Sequence, residues 1–421
     1  MRTERRLRLR RRLAQLVLLG AAAVVAAPAL GAGSVAAQQA PQDEVPFAPV
    51  FEGVLAGDLV MAGNSNLLAA GGWRLAGSSE ADVDGDTTLL CIGRRYVPAA
   101  CADNSSSATL DVPVGARIVH ARLYVDTTLT SAVGALRVRL DGPAEGYDYH
   151  ELSAHDPTVP QVYEGTGGGQ TTPVMRQAVW DVTDYVATAG PGSYTVADIP
   201  TERAGAWLPY ASWAIVVAYE LDPASGIQPD QLPAAEQQRF APRAVSWHDG
   251  FVVRSEGSVD VPVAGFTVTP GVLVFAKSFH VIAHPQARGA DNVLFAGGPL
   301  GNNLTPGNAP APAGVMIGNE AACNSTTDIL DDSICVLGRA VETKTPGPTQ
   351  YRASGDGRTV TSGSGVDMDV IRIPDRYFTA GMTSATLSVS ATGGPVAPGV
   401  LAVSVDLEPP VAPVAPDGIV P

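Results

Sequence analysis

The chain has 421 residues, 45 glycines, 34 prolines and a formal charge of −15. That length admits two modules of ordinary size, and the glycine and proline content favours turns over helices. The acidic balance excludes nucleic acid as a partner and argues against anionic membrane surfaces, because phosphate binding needs clustered cations.

Residues 1–12 carry seven arginines and one glutamate, followed by small and apolar residues from Leu13 to about Leu30. Val35-Ala36-Ala37 then offers short residues ahead of Gln38, so residues 1–37 read as a secretory signal peptide. Arg10-Arg11-Arg12 leaves the general and the twin-arginine export routes both open. Removing seven basic groups and one acidic group moves the formal charge from −15 to −21. No later stretch is long and apolar enough to span a bilayer, so no membrane span is expected after cleavage.

Residues 38–54 are polar and Pro-containing and read as a flexible N-terminal segment. Along 118–126, Val119, Ala121, Leu123 and Val125 would face inward, with His120, Arg122 and Asp126 wet. Leu136, Val138 and Leu140 repeat the alternation against Arg137 and Arg139. Trp213 to Tyr219 is apolar on both faces, as in a central strand. Helical signals are confined to 182–189 and 232–240, the second opened by a proline. The polar stretch 222–241 reads as a linker. In the second half, Leu401, Val403, Val405 and Leu407 alternate with Ala402, Ser404 and Asp406. Residues 300–365 look like a loop insertion, and 408–421 like a Pro-rich tail.

The strand-like strings recur in the same order. Asp111-Val112-Pro113-Val114 returns as Asp260-Val261-Pro262-Val263, and 121–125 pairs with 272–276. Further on, 136–142 pairs with 292–298, 193–196 with 384–387 and 213–219 with 400–406. This predicts an all-β chain of two tandem antiparallel β-sandwich, jelly-roll-like modules with long loops. They would span 55–221 and 242–407.

Four cysteines lie in two sequence-local pairs, Cys91 with Cys101 and Cys323 with Cys335. Export makes two local disulfides the expectation, each contributing about 2–3 kcal/mol; no C-x-x-C supports a thiolate metal site. Asp82, Asp84 and Asp86 place three carboxylates at alternate positions, a candidate calcium turn. The loop lacks the glycine and glutamate of an EF-hand, and the competing reading is a solvated acidic turn. Asp328, Asp331 and Asp332 fall inside the second cysteine loop. His280 and His284 have a helical zinc spacing but sit in a strand pattern, where they would be about 13 Å apart.

His248-Asp249 comes without a nucleophile elbow. Gly165 to Gly169 has no phosphate-loop lysine. Glu151, Asp156 and Glu164 form no recognisable glycosidase pair. Of the five tryptophans, Trp180 and Trp213 fall in core strands, and Trp207 is the candidate ligand contact. No catalytic residue is assigned.

Several strings carry a family resemblance: Ala56-Gly57-Asp58-Leu59-Val60-Met61-Ala62-Gly63-Asn64, residues 104–110 with Pro113, Asp181-Val182-Thr183, 211–217, Asp249-Gly250-Phe251 and Pro398-Gly399-Val400. Together they resemble a family of secreted actinobacterial and archaeal surface proteins of unknown function, whose members often precede Ig-like surface repeats. The resemblance covers roughly 55–407 and implies surface display without known catalysis. No sortase-like motif precedes Pro421, so covalent wall anchoring is not expected. Gly115-Ala116-Arg117-Ile118 and Trp180-Asp181-Val182-Thr183 are also similar to jelly-roll carbohydrate-binding modules. The expected function is a secreted, non-enzymatic structural or interaction protein with an extracellular protein or polysaccharide partner. A carbohydrate-binding protein is the alternative, and a secreted hydrolase a third reading.

Overall fold

The computed structural model describes residues 44–66, 105–129, 136–143, 149–153, 161–165, 174–200, 211–283, 291–300, 330, 334–340, 350–352, 359–361, 366–392 and 396–407. The first half runs β1 (Val45–Ser65), β2 (Ser105–Leu110), β3 (Ala116–Leu129), β4 (Arg137–Asp141), β5 (His150–Ser153), β6 (Gln161–Gly165), β7 (Val174–Asp181), α1 (Thr183–Ala189), β8 (Gly192–Ala197) and β9 (Ala211–Leu221). After α2 (Ala234–Arg239) the second half runs β10 (Pro242–Phe251), β11 (Gly257–Ala264), β12 (Ala276–Ala283), β13 (Asn292–Phe295), β14 (Gly298–Pro299), β15 (Ile334–Val336), β16 (Arg339–Ala340), β17 (Gln350–Arg352), β18 (Thr359–Thr361), β19 (Val366–Ile373), β20 (Ser384–Ala391) and β21 (Ala397–Asp406).

The protein is all-β and built from packed antiparallel sheets. In the first half one sheet has the order β1-β9-β3-β7-β6 and the other β2-β8-β4-β5. In the second half the orders are β10-β21-β12-β19-β15-β16 and β11-β20-β13-β14. The order β1-β9-β3-β7 matches β10-β21-β12-β19, and β2-β8-β4-β5 matches β11-β20-β13-β14; the halves differ beyond that, where β6 pairs antiparallel with β7 but β15 pairs parallel with β19 and is extended by β16. Two of the string pairings need correction. Asp260–Val263 lies inside β11 whereas Asp111–Val114 follows β2, and Val272–Phe275 precedes β12 whereas Ala121–Val125 lies inside β3. Apolar runs at strand ends and in mid-strand have the same composition, so string matching slides by several residues.

Strand β1 joins the halves into one eleven-stranded sheet. Its first part, Val45–Ala56, pairs with β10, and its second, Gly57–Ser65, with β9. Residues 45–54 are therefore ordered strand, not a flexible segment. The prolines that suggested mobility sit where the register shifts, between Val45 and Ala48 and between Pro49 and Phe51. Proline is tolerated at such irregularities because a ladder hydrogen bond is already missing there. Gly57 marks the crossover. A Cβ there would lie 1.9 Å from the Tyr219 carbonyl oxygen. Gly57→Ala should cost about 1–3 kcal/mol by overpacking, read as a lower urea midpoint.

The sheet folds back on itself at β1. Gln177 on β7 touches Gly399 on β21, where a Cβ would meet Gln177 Nε2 at 1.7 Å. Those strands are five positions apart in the sheet order, about 24 Å if it were flat. Four layers result, with the two halves of the long sheet inside and the four-stranded sheets outside. One core fills the first sandwich and the space between the inner layers, including Trp213, Tyr124, Trp247 and Phe279. A second core, with Val261, Phe295, Leu387 and Leu401, fills the second sandwich.

This layering corrects the predicted wet faces. Leu136, Val138 and Leu140 are buried and Arg137 is exposed, as the alternation requires. Trp213 to Tyr219 is buried on both faces, again as expected. Asp126, however, is wholly buried, and His120 and Arg122 are only partly exposed, because the second half covers that face of β3. For the same reason β21 is buried on both sides up to Asp406. The linker 222–241 carries α2, and Gln238 of α2 is buried against Asp406. The insertion 300–365 contributes β15, which pairs parallel with β19 in an otherwise antiparallel sheet. The helical stretches fall where expected, at 183–189 and 234–239.

Candidate functional site

The leader, Cys91, Cys101, Cys323, Asp82, Asp84, Asp86, Trp207, Trp73 and the acids Asp328, Asp331 and Asp332 lie outside the described residues. Cys335 is fully buried on β15, and no free cysteine occurs among the described residues. Trp180, Trp213 and Trp247 are buried. His248 and Asp249 are strand neighbours and point to opposite faces. Asp249 takes the Arg122 guanidinium and, at 3.1 Å, the Tyr124 hydroxyl. His248 Nε2 lies 3.5 Å from Glu52 Oε1. The pair is split between two structural networks.

Among the described residues, a cluster of buried charge lies where the halves meet. A cavity of about 720 Å³ opens between β1, β2 and α2 on one side and β12, β15 and β19 on the other. Asp58, Arg243 and Lys277 line it, and Asp406 pairs with Arg243. Lys277 Nζ donates to Asp58, and Ser404 Oγ donates to the same carboxylate at 2.7 Å. Arg243 Nε donates to Asp406 at 2.6 Å and lies 3.5 Å from Asp58. Its remaining donors reach the Gly57 carbonyl at 2.9 Å and the Gln238 carbonyl at 2.7 Å. A single guanidinium thus ties β1, α2, β10 and β21 together.

Burial would raise the Asp58 carboxyl, but Arg243, Lys277 and the hydrogen bonds from Lys277 and Ser404 outweigh it. The carboxyl is held below its usual range. Asp406 is raised by its burial, with Arg243 opposing and Asp58 adding to the shift. Burial opposes the charge on Arg243, yet Asp58 and Asp406 raise it further. Two cations and two carboxylates balance. Lys277, lying over the Phe279 ring at 5.4 Å, is fixed as a charge partner. Sequence reading had Asp58 only within a family-resemblance string and Asp406 only as a polar position in a strand. Lys277 did carry a signal, because it is one of two lysines in the chain.

A smaller cavity of about 540 Å³ lies over β3 and α1, lined by His120, His150, Asp181, Thr183 and Tyr185 among others. His120 Nδ1 is 3.3 Å from Thr183 Oγ1 and 3.9 Å from Asp181 Oδ2. Arg122 Nε donates to His120 Nε2 at 3.2 Å, so the ring proton sits on Nδ1. Burial lowers the His120 pKa, and Arg122 reinforces this against Asp181 and Asp249. With its Nε2 lone pair taken, the ring cannot act as base toward Thr183. Thr183 Oγ1 instead accepts the Ala121 N–H at 2.9 Å. This corner holds α1 on β3.

No known protein family and no curated protein matches this chain. No helix among the described residues is long and apolar enough to cross a membrane.

Proposed function

We propose that the chain is a secreted, non-enzymatic structural or interaction protein acting outside the cell or on its surface. One observation carries the reading: the quartet Asp58, Arg243, Lys277 and Asp406 joins the two sandwiches into one body. Asp58 belongs to the first half, and its partners Arg243, Lys277 and Ser404 all belong to the second. A charge quartet neutralised in this way stiffens a scaffold. The arginine-rich leader supports export. In an oxidising compartment Cys91–Cys101 and Cys323–Cys335 close as disulfides. The partner is an extracellular protein or polysaccharide.

The test is expression of the full chain in a secreting host. Cleavage after Ala37, accumulation outside the cytoplasm and the two local crosslinks in non-reducing peptide maps are expected. A cytoplasmic product that retains its leader would overturn the reading.

A further inference from the structure

The second sandwich encloses a polar cluster that the inter-half network does not use. His280 on β12 stands opposite Asp369 on β19, and Asp367 lies two residues earlier on the same face of β19. All three are 0% exposed. One ring nitrogen of His280 and one oxygen from each carboxylate lie within 4.8 Å of one another. His280 Nε2 is 3.6 Å from Asp369 Oδ2, and neither ring nitrogen of His280 has a hydrogen-bond partner. Asp369 Oδ1 accepts the Cys335 N–H at 2.9 Å, which turns Oδ2 toward the histidine.

The setting is apolar. Ile282, Ile371 and Leu401 share this face and belong to the core between the two sheets. Two carboxylates side by side in such a medium repel strongly, and each has lost its hydration. An imidazole without a hydrogen-bond partner beside them is a further cost. A divalent cation removes all three penalties at once, since it takes the imidazole lone pair and both anionic oxygens.

We propose that His280, Asp367 and Asp369 bind a divalent first-row transition-metal ion that crosslinks β12 to β19 inside the second sandwich. One imidazole and two carboxylates suit zinc or manganese, whereas calcium takes six to eight oxygens. In a tetrahedral shell with bonds near 2.1 Å, ligand atoms stand roughly 3.4 Å apart, so the cluster contracts modestly on binding. Because the group is sealed from solvent, the ion enters as β12 and β19 pair during folding and exchanges slowly afterwards. His284, the partner suggested by sequence spacing, lies outside the described residues, and the cross-strand acids supply the ligands instead.

The full chain is unfolded and refolded with chelator, with Zn²⁺ or with Mn²⁺, then desalted, and bound metal is measured. One ion per chain is expected to survive desalting in at least one metal arm. The metal-refolded chain should also melt at a higher temperature than the chelator-refolded one. Asp367→Asn and Asp369→Asn should each weaken retention about a hundredfold. Retention unchanged in both variants would place the ion elsewhere and overturn the proposal. If the variants do not fold, Co²⁺-loaded wild type decides. A visible d–d spectrum of imidazole–carboxylate coordination is expected, and the spectrum of aqueous Co²⁺ would overturn the proposal. No retained metal with coincident melts would likewise overturn it.

Discussion

Arg243→Met is expected to lower the stability of the folded chain by about 3–5 kcal/mol, as breaking a buried ion pair does. The arginine is 2% exposed and donates to Asp406 and to the carbonyls of Gly57 and Gln238. Removing it leaves Asp406 buried without its cation, while Lys277 still balances Asp58. The double variant Arg243→Met/Asp406→Leu should recover more than half of the loss, because the uncompensated charge is gone. Urea titrations of the four-member cycle measure this. Equal stability of Arg243→Met and wild type would show that the quartet does not join the halves.

Asp126→Asn is expected to raise stability at pH 8 by up to about 4 kcal/mol and to flatten its pH dependence. Burial between the two inner layers pushes the Asp126 carboxyl up to about 7, with a hydrogen bond from Gln177 opposing. Gln177 Nε2 donates at 2.9 Å, and Asp126 Oδ2 has no hydrogen-bond partner. The ordinary carboxyl value is 3.8. Between that value and about 7 the folded chain keeps a proton that the unfolded chain has released. Stability from this group is therefore full below 3.8, falls as pH rises and is gone above about 7. The asparagine has no proton to lose, so its curve lacks that slope. Thermal melts of both proteins from pH 4 to pH 8 decide the matter, and parallel curves would refute the assignment.

The second effect falls on a residue that strand periodicity misplaced. Alternation put Asp126 on the wet side of β3, and it was right about which face opposes Leu123 and Val125. Periodicity sees one strand at a time and cannot know that a second sheet covers the far face. Asp58 and Asp406 were invisible as a site because 348 positions separate them along the chain. His280 drew attention through His284, four residues on, although the acids within its reach are across a strand pair. The string Val366-Asp367-Met368-Asp369-Val370 held a usable signal: two acids at strand period inside an apolar run.

What the sequence determined by itself was the class. Glycine and proline spacing and period-two alternation suffice for all-β sandwiches, because each strand's pattern reports its own burial. Among the described residues, the short helices at 183–189 and 234–239 followed from local propensity. The union of the halves was decided only in three dimensions. β1 pairs with a strand of each half because β9 and β10 both have an edge to cover. Once that ladder forms, the long sheet folds on itself and the outward faces of two sandwiches become an interior. Buried charges then had to find partners from the other half. Such pairing depends on proximity in space, which no local pattern in the chain encodes.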